Sequence, residues 1–144
     1  MASPVQSLEI SYLVHATEDQ DRISSAVKTT LEIRTAPATE ELEGHFGNKI
    51  LHVSYRLTGE EASSAFASLA RNLPKSARKE LFENLGGNLD EHSTLYLRLD
   101  RQSLVGGRLA FGGAESVRLR VKPRLFLMKG GALDFFRRAL GEGT

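Results

Sequence analysis

The stretch "SVRLRVK", residues 116 to 122, alternates Val117, Leu119 and Val121 with Ser116, Arg118, Arg120 and Lys122. Successive side chains of a strand point to opposite faces, so this strand buries three aliphatic residues on one side and lines up three cations on the other. A strand covered on both faces would read as a continuous apolar run. Clean alternation predicts an antiparallel sheet packed on one face and wet on the other. Like charges two residues apart repel, and folding does not require them, so the row Arg118, Arg120, Lys122 points to an anionic partner.

The same period recurs outward from this strand. "TLYLRLD", residues 94 to 100, sets Leu95, Leu97 and Leu99 inward and Tyr96, Arg98 and Asp100 outward. In "SLEISYLVHA", residues 7 to 16, Leu8, Ile10, Tyr12, Val14 and Ala16 form the inner set, which places His15 on the open face. Leu51, Val53, Tyr55 and Leu57 alternate with Ile50, His52, Ser54 and Arg56, and a weaker strand before them, over 32 to 43, contains Pro37 and is expected at an edge or a bulge. The turn Gly44-His45-Phe46-Gly47-Asn48 makes these two strands a hairpin, because Gly44, Gly47 and Asn48 tolerate positive φ. A further hairpin is expected from "RLAF", Gly112-Gly113 and the 116 to 122 strand.

Helical spacing fills the intervals. Thr17 at an N-cap with Gln20 three residues later predicts a helix carrying Ile23, Ala26, Val27 and Leu31 on one stripe. Ala62, Ala65, Phe66, Leu69 and Leu73 predict a second, ended by Pro74. A third runs from about Ser76 to Leu85, with Gly86-Gly87 as its left-handed cap, and a last one uses Ala132, Leu133, Phe136 and Leu140. The expected fold is α+β: a single two-layer domain, residues 1 to 144, mainly an antiparallel sheet with helices packed on one face.

Composition fits that reading. The chain has 144 residues, 40% apolar and 26% charged, with no cysteine, so neither disulfides nor thiolate metal sites are available and a reducing cytoplasm is expected. No apolar run approaches the roughly 18 residues needed to cross a bilayer, and the N-terminus does not read as a secretory signal. The net charge of +1 conceals polarity. Residues 1 to 97 hold 9 Lys/Arg against 14 Asp/Glu, and residues 98 to 144 hold 10 against 4. A basic segment in a near-neutral chain suggests that one face meets an anion.

The candidate contacts are therefore Arg98, Arg101, Arg118, Arg120, Lys122 and Arg124, with Arg108 in support. Tyr96 and Phe46 are candidates for stacking on unpaired bases. Phe46 has the alternative of folding back over its own hairpin. His45, Lys49 and His15 complete the candidate set. Carboxylates near histidines (His15 with Glu18 and Asp19, Glu43 with His45, Asp90 and Glu91 with His92) have no recognised metal-ligand spacing, so neither metal nor cofactor is expected. Cleavage chemistry on Asp100 or Glu18 would need a second converging group. Gly130-Gly131 beside Lys129 offers a weak phosphate site at a helix start.

Four segments in order, "HATED" at 15 to 19, "EGHFGN" at 43 to 48, "LYLRLDRQ" at 95 to 102 and "VRLRVK" at 117 to 122, resemble the archaeal family described as predicted exosome subunits with an RNA-binding domain. The resemblance implies a fold similar to the large-subunit ribosomal protein that binds 5S ribosomal RNA. It also implies RNA binding and association with exosome subunits. Residues carried over as candidates are His15, Glu18, Asp19, Gly44, His45, Gly47, Asn48, Arg98, Asp100 and Arg101. Lys49 and "KPRLFLMKGG" at 122 to 131 depart from the pattern. The expected function is non-catalytic RNA binding through the basic sheet face and the 44 to 49 turn. The rivals are a protein-interaction subunit without RNA contact and a metal-dependent RNase, and pairing of strand edges into a homodimer is a further expectation.

Overall fold

The structure is a computed structural model and describes residues 4–15, 19–113, 115–124 and 131–141. Five strands form one antiparallel sheet: β1 (Val5–His15), β2 (Ala38–Glu43), β3 (Lys49–Thr58), β4 (Leu95–Asp100) and β5 (Ser116–Pro123), in the order β2-β3-β1-β5-β4. Six helices are described: α1 (Gln20–Leu31), α2 (Gly59–Asn72), α3 (Lys75–Glu83), α4 (Leu85–Asn88), α5 (Arg101–Val105) and α6 (Gly131–Gly141). The α+β class follows directly, and no described helix is long and apolar enough to cross a membrane.

β1 lies at the centre because it is the longest alternating strand. Leu8, Ile10, Tyr12 and Val14 are buried beside Val53, Tyr55 and Leu57 of β3 and Val117, Leu119 and Val121 of β5. Under them pack Ile23, Val27 and Leu31 of α1, Phe66 and Leu69 of α2, and Phe136 and Leu140 of α6. Ala62 and Ala65 let α2 approach closely, and Phe66 meets Phe136 edge-on with ring centroids 5.5 Å apart. Each fully buried leucine contributes about 1.5–3 kcal/mol. The core therefore holds β1, β3, β4 and β5 firmly in register. Within it the hydroxyls of Tyr12 and Tyr55 lie 3.3 Å apart, and Ser24 Oγ is 2.8 Å from Tyr55. Burial, with the Tyr55 hydroxyl beside it, pushes the Tyr12 phenol well above its ordinary pKa.

β2 differs from the other strands. All six of its residues are exposed, and it begins one residue after Pro37, as a proline-limited edge strand should. Its approach is fixed by Glu61 on α2, whose carboxylate accepts the N–H groups of Arg34 at 2.8 Å and Thr35 at 3.0 Å and the Thr35 hydroxyl. At the hairpin tip Gly44 N–H donates to Asn48 O at 2.7 Å, and Gly47 takes φ +80°. Neither Gly44 nor Asn48 has positive φ, so the expectation that the turn needs it holds for Gly47 alone; a Cβ on Gly44 would meet only the end of the Asn48 side chain.

Three local expectations are corrected. The N-cap of α1 is Asp19, accepting from Arg22 N–H at 3.2 Å; Thr17 lies outside the described residues. Gly86 and Gly87 lie inside the one-turn α4, and neither has positive φ. The C-cap of α3 is Asn84, whose N–H donates to Glu80 and Leu81 carbonyls. Finally, "RLAF" forms no hairpin with β5: its Phe111 makes a single bridge to Leu99, on the edge of β4 away from β5. The space beside β5 is taken by β1 and β4. The unexpected α5 arises because Asp100 caps it, accepting from Ser103 N–H at 3.2 Å and Ser103 Oγ at 2.6 Å.

Candidate nucleic-acid interface

The register brings the outward residues of four strands into rows across the open face. One row runs Arg56, Glu9, Arg120, Tyr96 through β3, β1, β5 and β4, and the next runs Ser54, Ser11, Arg118, Arg98. Lys122 stands opposite Ser7. Thus Arg98, Arg118, Arg120 and Lys122 share one uncovered plane, as the alternation predicted, and all four are exposed.

Their environments differ. Glu9 sits between two guanidinium groups, 2.9 Å from Arg56 and 3.1 Å from Arg120. The Arg120 guanidinium also lies 5.6 Å from the centroid of the Tyr96 ring. Arg98 and Arg118 are directly opposite one another. The Arg98 carbonyl accepts from Gly112 N–H at 3.1 Å, so it points away from β5, and 98/118 is a non-hydrogen-bonded pair with closely spaced side chains. Among the described residues no carboxylate pairs with Arg98, Arg118 or Lys122. Facing like charges cost stability, and an anion between them would relieve it.

Tyr96 is half-exposed and held from two sides, by Arg120 over its ring and by its hydroxyl, which donates to Asp90 Oδ2 at 3.0 Å. Partial burial works to raise the Asp90 pKa, but hydrogen bonds from Thr94 N–H, His92 N–H and Tyr96 outweigh it and hold the carboxylate below its ordinary range. Hydrogen bonding from Ser103 likewise lowers Asp100. Asp90 and Asp100 are thereby accounted for as turn and cap residues.

Other candidates are placed differently. Arg101 is buried, donating to the Leu13 carbonyl and pairing with Glu115, so it does not join the exposed row; it lines the cleft that also holds His15, His52 and Arg118. Arg124, half-buried past the end of β5, donates its backbone N–H to Pro4 O at 3.2 Å. His15 is half-buried and lines, with His52, Leu13 and Arg118, a cleft of 250 Å³ on the same face. At the hairpin tip Phe46 is 92% exposed and does not fold back; its ring meets His45 edge-on at 4.9 Å. Lys49 is paired with Glu41 at 3.3 Å. Glu18, Lys129 and Gly130 lie outside the described residues.

Two members of the face, Arg56 and Glu9, were absent from the sequence-based set. Both were legible as outward residues of alternating strands. Their meeting with Arg120 depends on β1 lying between β3 and β5, which no local pattern reveals.

Fold and face together define an α+β domain with helices on one side of an antiparallel sheet and an uncovered basic plane on the other. The chain belongs to the family described as RNA binding, whose model matches residues 7–123. It is 31% identical over 138 residues to RNA-binding protein PAB1135 of Pyrococcus abyssi, covering 90% of each chain. It is 28% identical over 134 residues to the uncharacterized protein MJ0213 of Methanocaldococcus jannaschii, covering 87% of this chain and 89% of that one. The solved structure of Mth689, a DUF54 protein from Methanothermobacter thermautotrophicus, superposes with a TM-score of 0.77 at 22% identity over 95% of this chain and 98% of that one, a likeness of fold.

Proposed function

We propose that the protein is a non-catalytic RNA-binding domain that grips phosphates on the open sheet face. The observation that carries this reading is the facing pair Arg98 and Arg118, flanked by Arg120 and Lys122, on a plane that no described helix covers. Membership of the RNA-binding family and the name of the Pyrococcus relative support RNA as the anion. Phe46, held out at the hairpin tip, suits stacking on an unpaired base, whereas Lys49 is already neutralised by Glu41. Of the two carboxylates considered for cleavage, Asp100 is already engaged as the cap of α5, which favours binding, and Glu18 lies outside the described residues. The resemblance to predicted exosome subunits extends the proposal to an RNA-processing assembly, testable by co-purification that survives or fails ribonuclease treatment.

Titration with single-stranded RNA across a salt series tests the proposal. Neutralising about four phosphates gives a slope of log affinity against log salt near −3. A flat response would remove the electrostatic basis of the reading.

A further inference from the structure

β1 outruns its pairing with β5. That pairing ends at Ser11 opposite Arg118, whereas β1 stays beside β3 as far as His15 opposite Ile50. Beyond Ser11 the two strands therefore part, and the Leu13 carbonyl, left without a β5 partner, accepts instead from the guanidinium of Arg101, which also pairs with Glu115. The fork is a cleft of 250 Å³. Ser11, His15, His52, Ser116 and Arg118 line it, with the Arg101–Glu115 pair at its wall.

The charges around the fork do not cancel. Arg101 and Glu115 neutralise each other, and Asp100, opposite Ser116 on β4, is engaged by Ser103 as the cap of α5. Glu40 of β2 stands opposite His52 but does not line the cleft. Arg118 has no carboxylate partner among the described residues, so the cleft keeps an uncompensated guanidinium beside two imidazoles and two serine hydroxyls. Each of these side chains can donate: an imidazole has one N–H when neutral and two when protonated, and a hydroxyl has one O–H. The volume lies below the roughly 300–1,000 Å³ of sites that enclose whole small molecules, so it takes a phosphate group and leaves the attached nucleoside outside. An internal RNA phosphate carries a single charge and a nucleoside on each side. A terminal monoester carries about −1.5 to −2 at pH 7 and presents three free oxygens, which match this set of donors.

We infer that the fork between β1 and β5 is a subsite for a terminal phosphate of RNA, held by Arg118, His15 and His52 with the hydroxyls of Ser11 and Ser116. Arg118 belongs both to the fork and to the basic plane, so a chain leaving the cleft meets Arg98 and Arg120 next. This inference rests on the RNA-binding reading and adds to it the part of the RNA that is recognised, a phosphorylated end.

Fluorescence anisotropy at fixed salt provides the test, using one single-stranded RNA prepared with a 5′-phosphate, with a 3′-phosphate or with hydroxyls at both ends. One phosphorylated form is expected to bind at least about tenfold tighter than the hydroxyl form, the range of a hydrogen bond to a charged group, and the two phosphorylated arms tell which end the fork takes. His52→Ala should abolish that preference while the hydroxyl form binds as it does to the unaltered chain, which also shows that the variant folds. Arg120→Ala should weaken all three forms alike and leave their ratio unchanged. The subsite is overturned if the three RNAs bind equally well, or if the preference survives in His52→Ala; in both cases the RNA-binding reading stands, because the hydroxyl form still binds. If none of the three binds, that reading falls and the subsite with it.

Discussion

The β4–β5 pair and the β2–β3 hairpin are both antiparallel arms, yet they use their charges in opposite ways. β5 buries Val117, Leu119 and Val121 and β4 buries Leu95, Leu97 and Leu99, so the core fixes where Arg98, Arg118, Arg120 and Lys122 stand. β2 buries nothing, carries Glu40, Glu41 and Glu43, and neutralises the hairpin's lysine through Glu41. The basic arm is therefore a rigid electrostatic platform. The hairpin presents an exposed aromatic tip on an acidic stem, which under the proposed function suits stacking more than phosphate contact. A charge becomes part of a binding plane when the core beneath it sets its direction and no carboxylate has claimed it.

The largest expected difference between the two arms is in stability. Leu119→Ala should cost about 2–5 kcal/mol by opening a cavity under the basic plane. Leu42→Ala on β2 should stay within about 0.5 kcal/mol. Chemical denaturation measures both, and a comparable loss from the two would mean that β2 is anchored as firmly as β5.

Charge reversal sharpens the contrast in affinity. Arg118→Glu should weaken RNA binding by about ten- to a hundredfold and make the salt slope shallower by at least about 0.7, the share of one phosphate contact. Lys49→Ala should change affinity less than about twofold, as expected of a cation already engaged in an exposed pair. Filter binding across a salt series compares them, and equal losses would break the assignment of the phosphate plane to β4 and β5.

Glu9 is the restraining charge on that plane. Glu9→Gln should release Arg56 and Arg120 from their shared partner and raise RNA affinity a few-fold with a steeper salt slope, since an exposed ion pair holds them by only about 0.2–1 kcal/mol each. A fall in affinity would show instead that Glu9 orients the two arginines for binding.

The smallest effect is on pH dependence. The folded state holds Asp90 and Asp100 below the ordinary aspartate range, so their contribution to stability is complete above the unfolded value of about 3.9 and is lost as pH falls through the lower folded values. Thermal melts between neutral and strongly acidic pH should show this loss, and Asp90→Asn should reduce it. An unchanged acid limb in that variant would remove Asp90 from the account.

Sequence and structure agree where a residue's role is set by its immediate neighbours. Period-two alternation in residues 116 to 122 and 94 to 100 correctly gave the inward and outward sets, and Pro37 correctly marked the edge strand. The expectation for "RLAF" failed because a two-glycine turn and a short alternating run look like a hairpin, while the decision lay with β1, which competes for the same edge of β5 and brings a longer buried face. The burial of Arg101 was not legible either: an arginine following an outward aspartate reads as exposed until Asp100 caps a helix that starts at Arg101, whose guanidinium then reaches the Leu13 carbonyl.

The chain's own order of apolar and polar residues determined an antiparallel α+β sheet with one wet face, because side-chain alternation and helical spacing are local properties of the backbone. Only the tertiary structure decided that Arg98 faces Arg118 and that Glu9 stands between Arg56 and Arg120. Those are relations between strands distant in sequence, set by which pairings bury the most apolar surface together, and no short stretch of residues contains that comparison.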